Sequence, residues 1–159
     1  MEKEGVMEKI KLQEPFQISI VVKDVDQTIE YFKTLGMGPF ITRVYESKSE
    51  ALLYGKPLRG KIRRKLGFTN LGKIQIELVQ PLEGDDPVFT EHLKEKGDGV
   101  NHIAFRVADV GKEVERWERL GIKCLYSDLV KTETGSVRGH AYMDTKKIGG
   151  VIFELLGGV

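Results

Sequence analysis

The sequence lacks the features that mark secreted or membrane-bound proteins. It has one cysteine, Cys124, so no disulfide can form within the chain, and a reducing cytoplasmic setting is expected. No apolar run approaches the roughly 20 residues that a membrane-spanning helix needs. The N-terminus alternates charged residues without an apolar core segment, so a secretory signal is not expected.

A dominant charge of one sign is also missing. The chain has 25 Lys and Arg residues against 24 Asp and Glu residues, which gives a net charge of +1. This balance provides no general attraction to nucleic acid or to a membrane surface, so neither is expected as a partner. With 159 residues, 40% hydrophobic and 31% charged, the composition is typical of a folded domain with a core of its own.

What the sequence does contain is one segment that occurs twice. Residues 17–37 and 102–122, which are 85 positions apart, are identical at seven of 21 aligned positions. An internal repeat usually means that each copy is one supersecondary unit that packs against the other. The alignment places Gln17 and His102 at equivalent positions.

Each copy predicts a strand followed by a helix. In the first copy, the β-branched run over 16–22 predicts a strand, Asp24 or Asp26 offers a helix N-cap, and Gly36 stands where the helix would end. The second copy repeats this plan from Asp109 onward, and about three strand-like segments follow each helix. The sequence therefore predicts an α+β fold, in which two tandem βαβββ modules form a half-open, barrel-like cup with the helices outside.

The same reading divides the chain into four parts. We expect a solvated N-terminal arm over 1–14, a first βαβββ module over 15–83, a connector over 84–99, and a second module over 100–159. Asp86 is expected to cap a short connector helix that begins at Pro87. Small size and exposed sheet edges favour a homodimer.

Four polar side chains are predicted to line the cup. Glu77 stands on the face opposite the apolar residues of its strand, and Glu154 interrupts an apolar strand. A carboxylate in such a run is costly unless it is paired or bound to a cation. With Gln17 and His102, these residues could form a mixed nitrogen and oxygen site for a divalent metal. Taken singly, each could instead be a hydrogen-bonded structural residue or lie at an exposed strand edge.

The sequence resembles the vicinal oxygen chelate superfamily, which is built from paired βαβββ modules. The resemblance rests on QISIVVKDVDQTIEYF, IQIELVQPLEG, GDGVNHIAFRVADV and GGVIFELL. It is strongest to the methylmalonyl-CoA epimerases and to glyoxalase I (lactoylglutathione lyase). It implies one divalent ion (zinc, nickel, cobalt, manganese or magnesium) held by Gln17, Glu77, His102 and Glu154. The order Gln, Glu, His, Glu resembles glyoxalase I, whereas the connector and GDGVNHIAFRV resemble the epimerases.

Both relatives remove a proton from the carbon next to a carbonyl. The resemblance implies Glu154 as metal ligand and catalytic base, with Glu77 as the second catalytic candidate, and a thioester or glutathione-type conjugate as substrate. The epimerases also carry a separate glutamate base on an earlier strand of the first module. The corresponding region here, residues 60–65, contains no glutamate.

Several basic residues are candidates for substrate binding. Arg63 and Arg64 lie in the main local concentration of positive charge and could hold phosphate or carboxylate groups. Arg138 is a second anion-binding candidate, and His140 could line the pocket. The alternatives are a solvated hairpin for the basic segment and a structural role for His140.

Two other functions use the same fold. One is a metal-free binding protein of the bleomycin-resistance type, which would not need four ligand-type residues. The other is a ring-cleaving dioxygenase, which binds iron(II) through two histidines and a carboxylate. Gln17 replaces the first of those histidines and argues against it.

Overall fold

In the computed structural model, residues 9–147 and 149–157 form ten strands and three helices. The first eight residues of the predicted N-terminal arm lie outside this described part. The strands are β1 (Pro15–Val21), β2 (Ile41–Glu46), β3 (Leu52–Leu53), β4 (Lys56–Pro57), β5 (Arg63–Leu71), β6 (Ile74–Glu83), β7 (Gly99–Val107), β8 (Cys124–Lys131), β9 (Val137–Met143) and β10 (Ile152–Gly157). The helices are α1 (Val25–Thr34), α2 (Thr90–Lys96) and α3 (Val110–Arg119).

The two copies of the repeat meet at the centre of the sheet. β1 and β7 pair antiparallel, with Ile18 opposite Ile103, and these two residues are equivalent in the repeat. An approximate two-fold axis therefore passes between them. On either side the arrangement is the same, because β1 pairs parallel with β6 and β7 pairs parallel with β10.

All ten strands belong to one sheet, in the order β2-β5-β6-β1-β7-β10-β9-β8-β3-β4. The sheet curves until its two halves touch: the hydroxyl of Tyr45, on β2, lies 2.7 Å from that of Tyr126 and donates to Asp128, both on β8. The helices lie outside this curved sheet. The predicted α+β fold of two tandem modules is confirmed.

The repeated helices begin and end at equivalent residues. Asp24 and Asp109 are the N-caps, and each side chain accepts a hydrogen bond from a backbone amide of the first turn, at 2.9 Å. Both helices end just before a glycine with positive φ, as predicted. The buried face of α3 includes Val110 and Trp117, and removal of their apolar surface from water stabilises the packing of the helix against the sheet.

The first module contains more strands than predicted. β3 and β4 form a short hairpin, and the other edge of β3 pairs with β8 of the second module. Two-residue strands are too short to give a detectable alternation of apolar and polar residues. The hairpin extends the sheet beyond β8.

The connector differs from its prediction in where the helix begins. α2 starts at Thr90, and its N-cap, Phe89, makes no side-chain capping bond. Asp86 caps the preceding turn, which begins at Pro87: its side chain accepts from the amides of Val88 at 3.0 Å and Phe89 at 3.4 Å, and its carbonyl accepts from the amide of Thr90 at 3.1 Å. This turn places the ring of Phe89 inside the main core. Among the described residues, no helix is both long and apolar enough to cross a membrane.

Candidate functional site

Four adjacent strands bring the predicted metal-binding residues together. Gln17 is on β1, Glu77 on β6, His102 on β7 and Glu154 on β10, and none of the four is more than 7% exposed. Glu77 lies beside Ser19 in the β1–β6 ladder, and Glu154 lies beside the equivalent residue of the second copy in the β7–β10 ladder. The two glutamates are therefore related by the repeat. We call these four side chains the quartet.

The quartet is centred on Nε2 of His102. This nitrogen lies 3.0 Å from Oε2 of Glu154, 3.3 Å from Oε1 of Gln17 and 3.4 Å from Oε2 of Glu77. Each half of the chain thus contributes one carboxylate to a single buried point.

Neighbouring amides orient two members of the quartet. Nδ1 of His102 lies 2.9 Å from Oδ1 of Asn101, whose Nδ2 donates to the carbonyl of Val88 at 2.8 Å. Because the amide nitrogen is engaged in this way, its oxygen faces the imidazole and favours a proton on Nδ1. Nε2 would then be the nitrogen that coordinates a bound metal, after loss of the proton that it shares with the surrounding oxygens. Gln17 donates from Nε2 to Gln75 at 2.7 Å, which turns its own oxygen toward His102.

The two glutamates differ in their electrostatics. Burial raises the pKa of Glu77, the charge of Glu154 adds to this effect, and attraction to His102 opposes it only in part. Burial also acts to raise the pKa of Glu154, but attraction to His102 and a hydrogen bond with it outweigh burial and lower the pKa. Of the two glutamates, Glu154 is therefore the stronger candidate for an ionised base.

The chemistry of the quartet suits a divalent ion, although the donors are not arranged around an open point. Oε2 of Glu77 is buried and makes no hydrogen bond to any described residue, so it is available as a ligand. Two carboxylates, an amide oxygen and an imidazole form a donor set suited to hard or borderline ions. Across residues 9–147 and 149–157, however, no group of three or more His, Cys, Asp and Glu side chains is placed to hold a metal. The carboxylates instead contact the imidazole itself.

The quartet opens into a cavity of about 410 Å³, a size typical of small-molecule sites. Three of the quartet residues, Gln17, Glu77 and Glu154, are among its lining residues. The remaining lining side chains are mostly apolar, aromatic or cationic: Phe16, Ile41, Arg43, Tyr45, Arg64, Leu66, Phe68, Gln75, Val79, Phe89, Arg106, His140, Tyr142 and Leu156.

Comparison with known families agrees with this architecture. The family model of the Glyoxalase/Bleomycin resistance protein/Dioxygenase superfamily matches residues 16–138, which is more than half of the chain. The chain belongs to this superfamily. The resemblance identified from the sequence is thereby confirmed at the level of the superfamily.

Related sequences within the superfamily include methylmalonyl-CoA epimerases. The human mitochondrial methylmalonyl-CoA epimerase is 30% identical over 88 residues, which cover 55% of this chain and 49% of that protein. The uncharacterized protein YqjC of Bacillus subtilis is 26% identical over 90 residues, 57% of this chain and 62% of that protein. The matched regions thus span about half to three-fifths of these curated relatives.

Solved structures match over almost the whole chain. A variant of the Streptomyces coelicolor methylmalonyl-CoA epimerase, in complex with 2-nitronate-propionyl-CoA, has a TM-score of 0.63 at 25% identity and covers 94% of this chain and 99% of its own. The hypothetical protein BH1468 of Bacillus halodurans has a TM-score of 0.60 at 18% identity, covering 92% of this chain and 94% of its own. The latter likeness concerns the fold alone.

The predicted substrate-binding residues divide into two groups. Arg64 and His140 line the cavity. Arg63, adjacent to Arg64 on β5, forms ion pairs with Glu46 and Glu83 at 3.3 and 3.7 Å and is not among the lining residues. Arg138 is exposed and also lies outside the lining. The structure therefore brings only two of these four residues, Arg64 and His140, to the cavity into which the quartet opens.

Two cavity-lining arginines were not recognised from the sequence. The guanidinium of Arg106 lies 4.1 Å from the ring centroid of Phe16, and that of Arg43 lies 4.9 Å from the ring centroid of Phe68. Strand alternation could have identified Arg106, because it is four residues after His102 on the same strand and shares its face. The strand of Arg43 contains no predicted site residue, so strand alternation gives no indication of which of its faces lines the cavity.

Proposed function

We propose that the chain is a divalent-metal-dependent enzyme that removes and returns a proton on the carbon next to the carbonyl of an acyl-CoA thioester. The observation that carries the proposal is the approach of Glu77 and Glu154, from opposite halves of the repeat, to the same nitrogen of His102 inside one cavity. Two carboxylates related by an approximate two-fold axis can serve opposite faces of a bound substrate.

Glu154 is the residue proposed to take the proton. It is buried beside His102, and its lowered pKa favours the ionised form that a general base requires. Glu77, whose pKa is raised, is suited to deliver a proton from the other side. Unlike environments for two paired carboxyl groups are a common basis for dividing acid and base roles.

A divalent ion at the quartet would act as a Lewis acid toward the substrate carbonyl. Gln17, Glu77, His102 and Glu154 would hold it. Asn101 fixes the orientation of the imidazole, and Gln75 that of the Gln17 amide. The apolar and aromatic wall of the cavity limits access of water to the reacting carbon.

The thioester is favoured over a hemithioacetal by the relatives. Sequence and structure comparisons both return methylmalonyl-CoA epimerases, and one of these was solved in complex with methylmalonyl-CoA. A lactoylglutathione lyase activity is the second candidate, because the order Gln, Glu, His, Glu resembles glyoxalase I. A metal-free binding protein of the bleomycin-resistance type is the non-catalytic alternative.

Deuterium exchange separates these candidates. Metal-loaded protein in deuterated water is incubated with methylmalonyl-CoA or with the methylglyoxal–glutathione adduct, and incorporation is measured by mass spectrometry. We expect exchange with the thioester, its loss on chelation, and a decrease of about 100-fold or more for Glu154→Gln. Glu83→Gln, at the exposed end of β6, is the matched control.

Exchange with the adduct alone would favour the lyase. If neither substrate exchanges deuterium and Glu154→Gln does not change ligand affinity, the enzyme proposal fails. The non-catalytic binding protein is then the remaining candidate.

A further inference from the structure

We propose that Arg64 and His140 form a carboxylate-binding subsite on the floor of the cavity and select a thioester that carries a second, free carboxylate. This inference rests on the proposed thioester substrate and adds the class of acyl group. Arg64 also stands on the strand where an additional glutamate base would be expected, so that part of the cavity is suited to anion binding rather than to proton removal.

Arg64 lines the cavity and has one guanidinium nitrogen without a partner among the described residues. Its side chain is 2% exposed, and its Nε donates to Oδ2 of Asp86 at 2.7 Å. Nη1 reaches the hydroxyl of Tyr142 at 3.4 Å, a long contact, and Nη2 is buried without a hydrogen-bond partner among the described residues. A buried polar group without a partner destabilises the protein, so a ligand that accepts a hydrogen bond from Nη2 is favoured.

His140 also has a buried nitrogen without a hydrogen-bond partner among the described residues. Its Nε2 is buried and lacks a hydrogen-bond partner within the described part of the chain, although the residue lines the cavity. Loss of solvation lowers the pKa of its imidazole to about 4, so the ring is neutral at physiological pH. With its proton on Nε2, the neutral ring is a hydrogen-bond donor.

The two unsatisfied groups share one aromatic surround. The guanidinium carbon of Arg64 lies 4.9–5.4 Å from the ring centroids of Tyr45, Tyr126 and Tyr142. The ring of His140 lies 5.4–5.9 Å from the centroids of the same three tyrosines. Both donors therefore lie against the same group of rings, Tyr45, Tyr126 and Tyr142, which we call the floor of the cavity.

A carboxylate is the ligand that this floor fits best. It has two acceptor oxygens for the two donors, and guanidinium groups bind carboxylates through charge-assisted hydrogen bonds. Asp86 engages Arg64 through Nε and leaves the opposite side of the guanidinium available. Gln17, Glu77 and Glu154 of the quartet line the same cavity, so an acyl group could contact them through its carbonyl and the floor through its carboxylate.

Calorimetric titration with two matched thioesters tests the subsite. Racemic methylmalonyl-CoA carries the free carboxylate, and propionyl-CoA lacks it. We expect metal-loaded wild type to bind the former on the order of 10- to 100-fold more tightly, as charge-assisted hydrogen bonds provide. His140→Phe, which keeps an aromatic ring but has no donor, should lose about 10-fold of this preference.

Arg64→Met combined with Asp86→Asn removes the cation without leaving its counter-charge buried, and should abolish the preference while propionyl-CoA binding persists. Arg119→Met, on the outer face of α3, is the control and should keep it. An unchanged preference in folded His140→Phe and in the double variant would overturn the subsite.

Equal binding of the two thioesters by wild type that still exchanges deuterium would overturn the subsite and leave the proposed function standing. No binding of either thioester would overturn the thioester substrate and the subsite together.

Discussion

Oδ1 of Asn101 lies 2.9 Å from Nδ1 of His102, and both residues are essentially inaccessible to solvent. The Asn101 amide is itself held by the carbonyl of Val88, in the connector that precedes β7. The orientation of the central imidazole therefore depends on a short chain of hydrogen bonds that reaches outside the quartet. Partners of this kind usually contribute to metal affinity even though they do not touch the metal.

We expect Asn101→Ala to weaken metal binding by about 10- to 100-fold, because the imidazole loses the acceptor that fixes its proton and its orientation. The dissociation constant for zinc is measured by competition with a fluorescent chelator. Asn101→Asp retains an acceptor oxygen and should bind more tightly than the alanine variant. Asn70→Ala, at the exposed end of β5, is the control. Equal affinity in wild type and Asn101→Ala would show that this hydrogen bond does not support a metal site.

A second prediction concerns the buried ion pair of Arg64 and Asp86. Asp86→Asn should lower the free energy of unfolding by about 3–5 kcal/mol, because it leaves the guanidinium charge buried without its counter-charge. Burial by itself would lower the pKa of Arg64, but attraction to Asp86 outweighs it and raises the pKa, so the residue stays charged. Urea unfolding followed by circular dichroism measures the change.

Two comparisons isolate the cause. Arg64→Met combined with Asp86→Asn should recover much of the loss, since an apolar side chain can pack among the surrounding rings. Glu30→Gln breaks the exposed pair with Lys33, whose side chains are 72% and 53% exposed, and should cost less than about 1 kcal/mol. If Asp86→Asn costs no more than Glu30→Gln, the buried pair is not a major source of stability.

Much of the fold could be predicted because the repeat carries its own structural signals. Capping aspartates, helix-ending glycines and β-branched runs occur at equivalent positions in both copies, and the structure uses them as predicted. The quartet followed from the same symmetry. Gln17 and His102 are equivalent in the repeat, and the two glutamates occupy equivalent places in the neighbouring strands.

The sequence does not show which face of a strand lines the cavity, and several site residues could not be predicted for this reason. Arg63 and Arg64 are neighbours, so a difference of one residue decides which of them enters the cavity. On β5, Arg64 shares its face with Leu66 and Phe68, but Gly67 and Thr69 on the other face are also buried, and the sequence pattern does not identify the concave side. The pairing of β3 with β8 joins the two modules and has no local signal.

A third prediction concerns Gly139, which immediately precedes His140 on β9. Its φ is +114°, and a Cβ at this position would collide with the backbone carbonyl oxygen of Asp128 on β8. Gly135, in the turn before β9, also has a positive φ, of +84°, but a Cβ there would meet nothing within 4 Å. The two glycines thus share a backbone constraint and differ in the space around them.

We expect Gly135→Ala to cost only the strain of a left-handed residue, about 1–2 kcal/mol. Gly139→Ala should cost at least about 1 kcal/mol more, because β8 and β9 must separate to admit the methyl group. Chemical denaturation measures both changes, and a similar loss in the two variants would contradict the close approach of these strands. Because His140 follows directly, displacement of β9 should also reduce the preference for methylmalonyl-CoA over propionyl-CoA, whereas Gly135→Ala should preserve it.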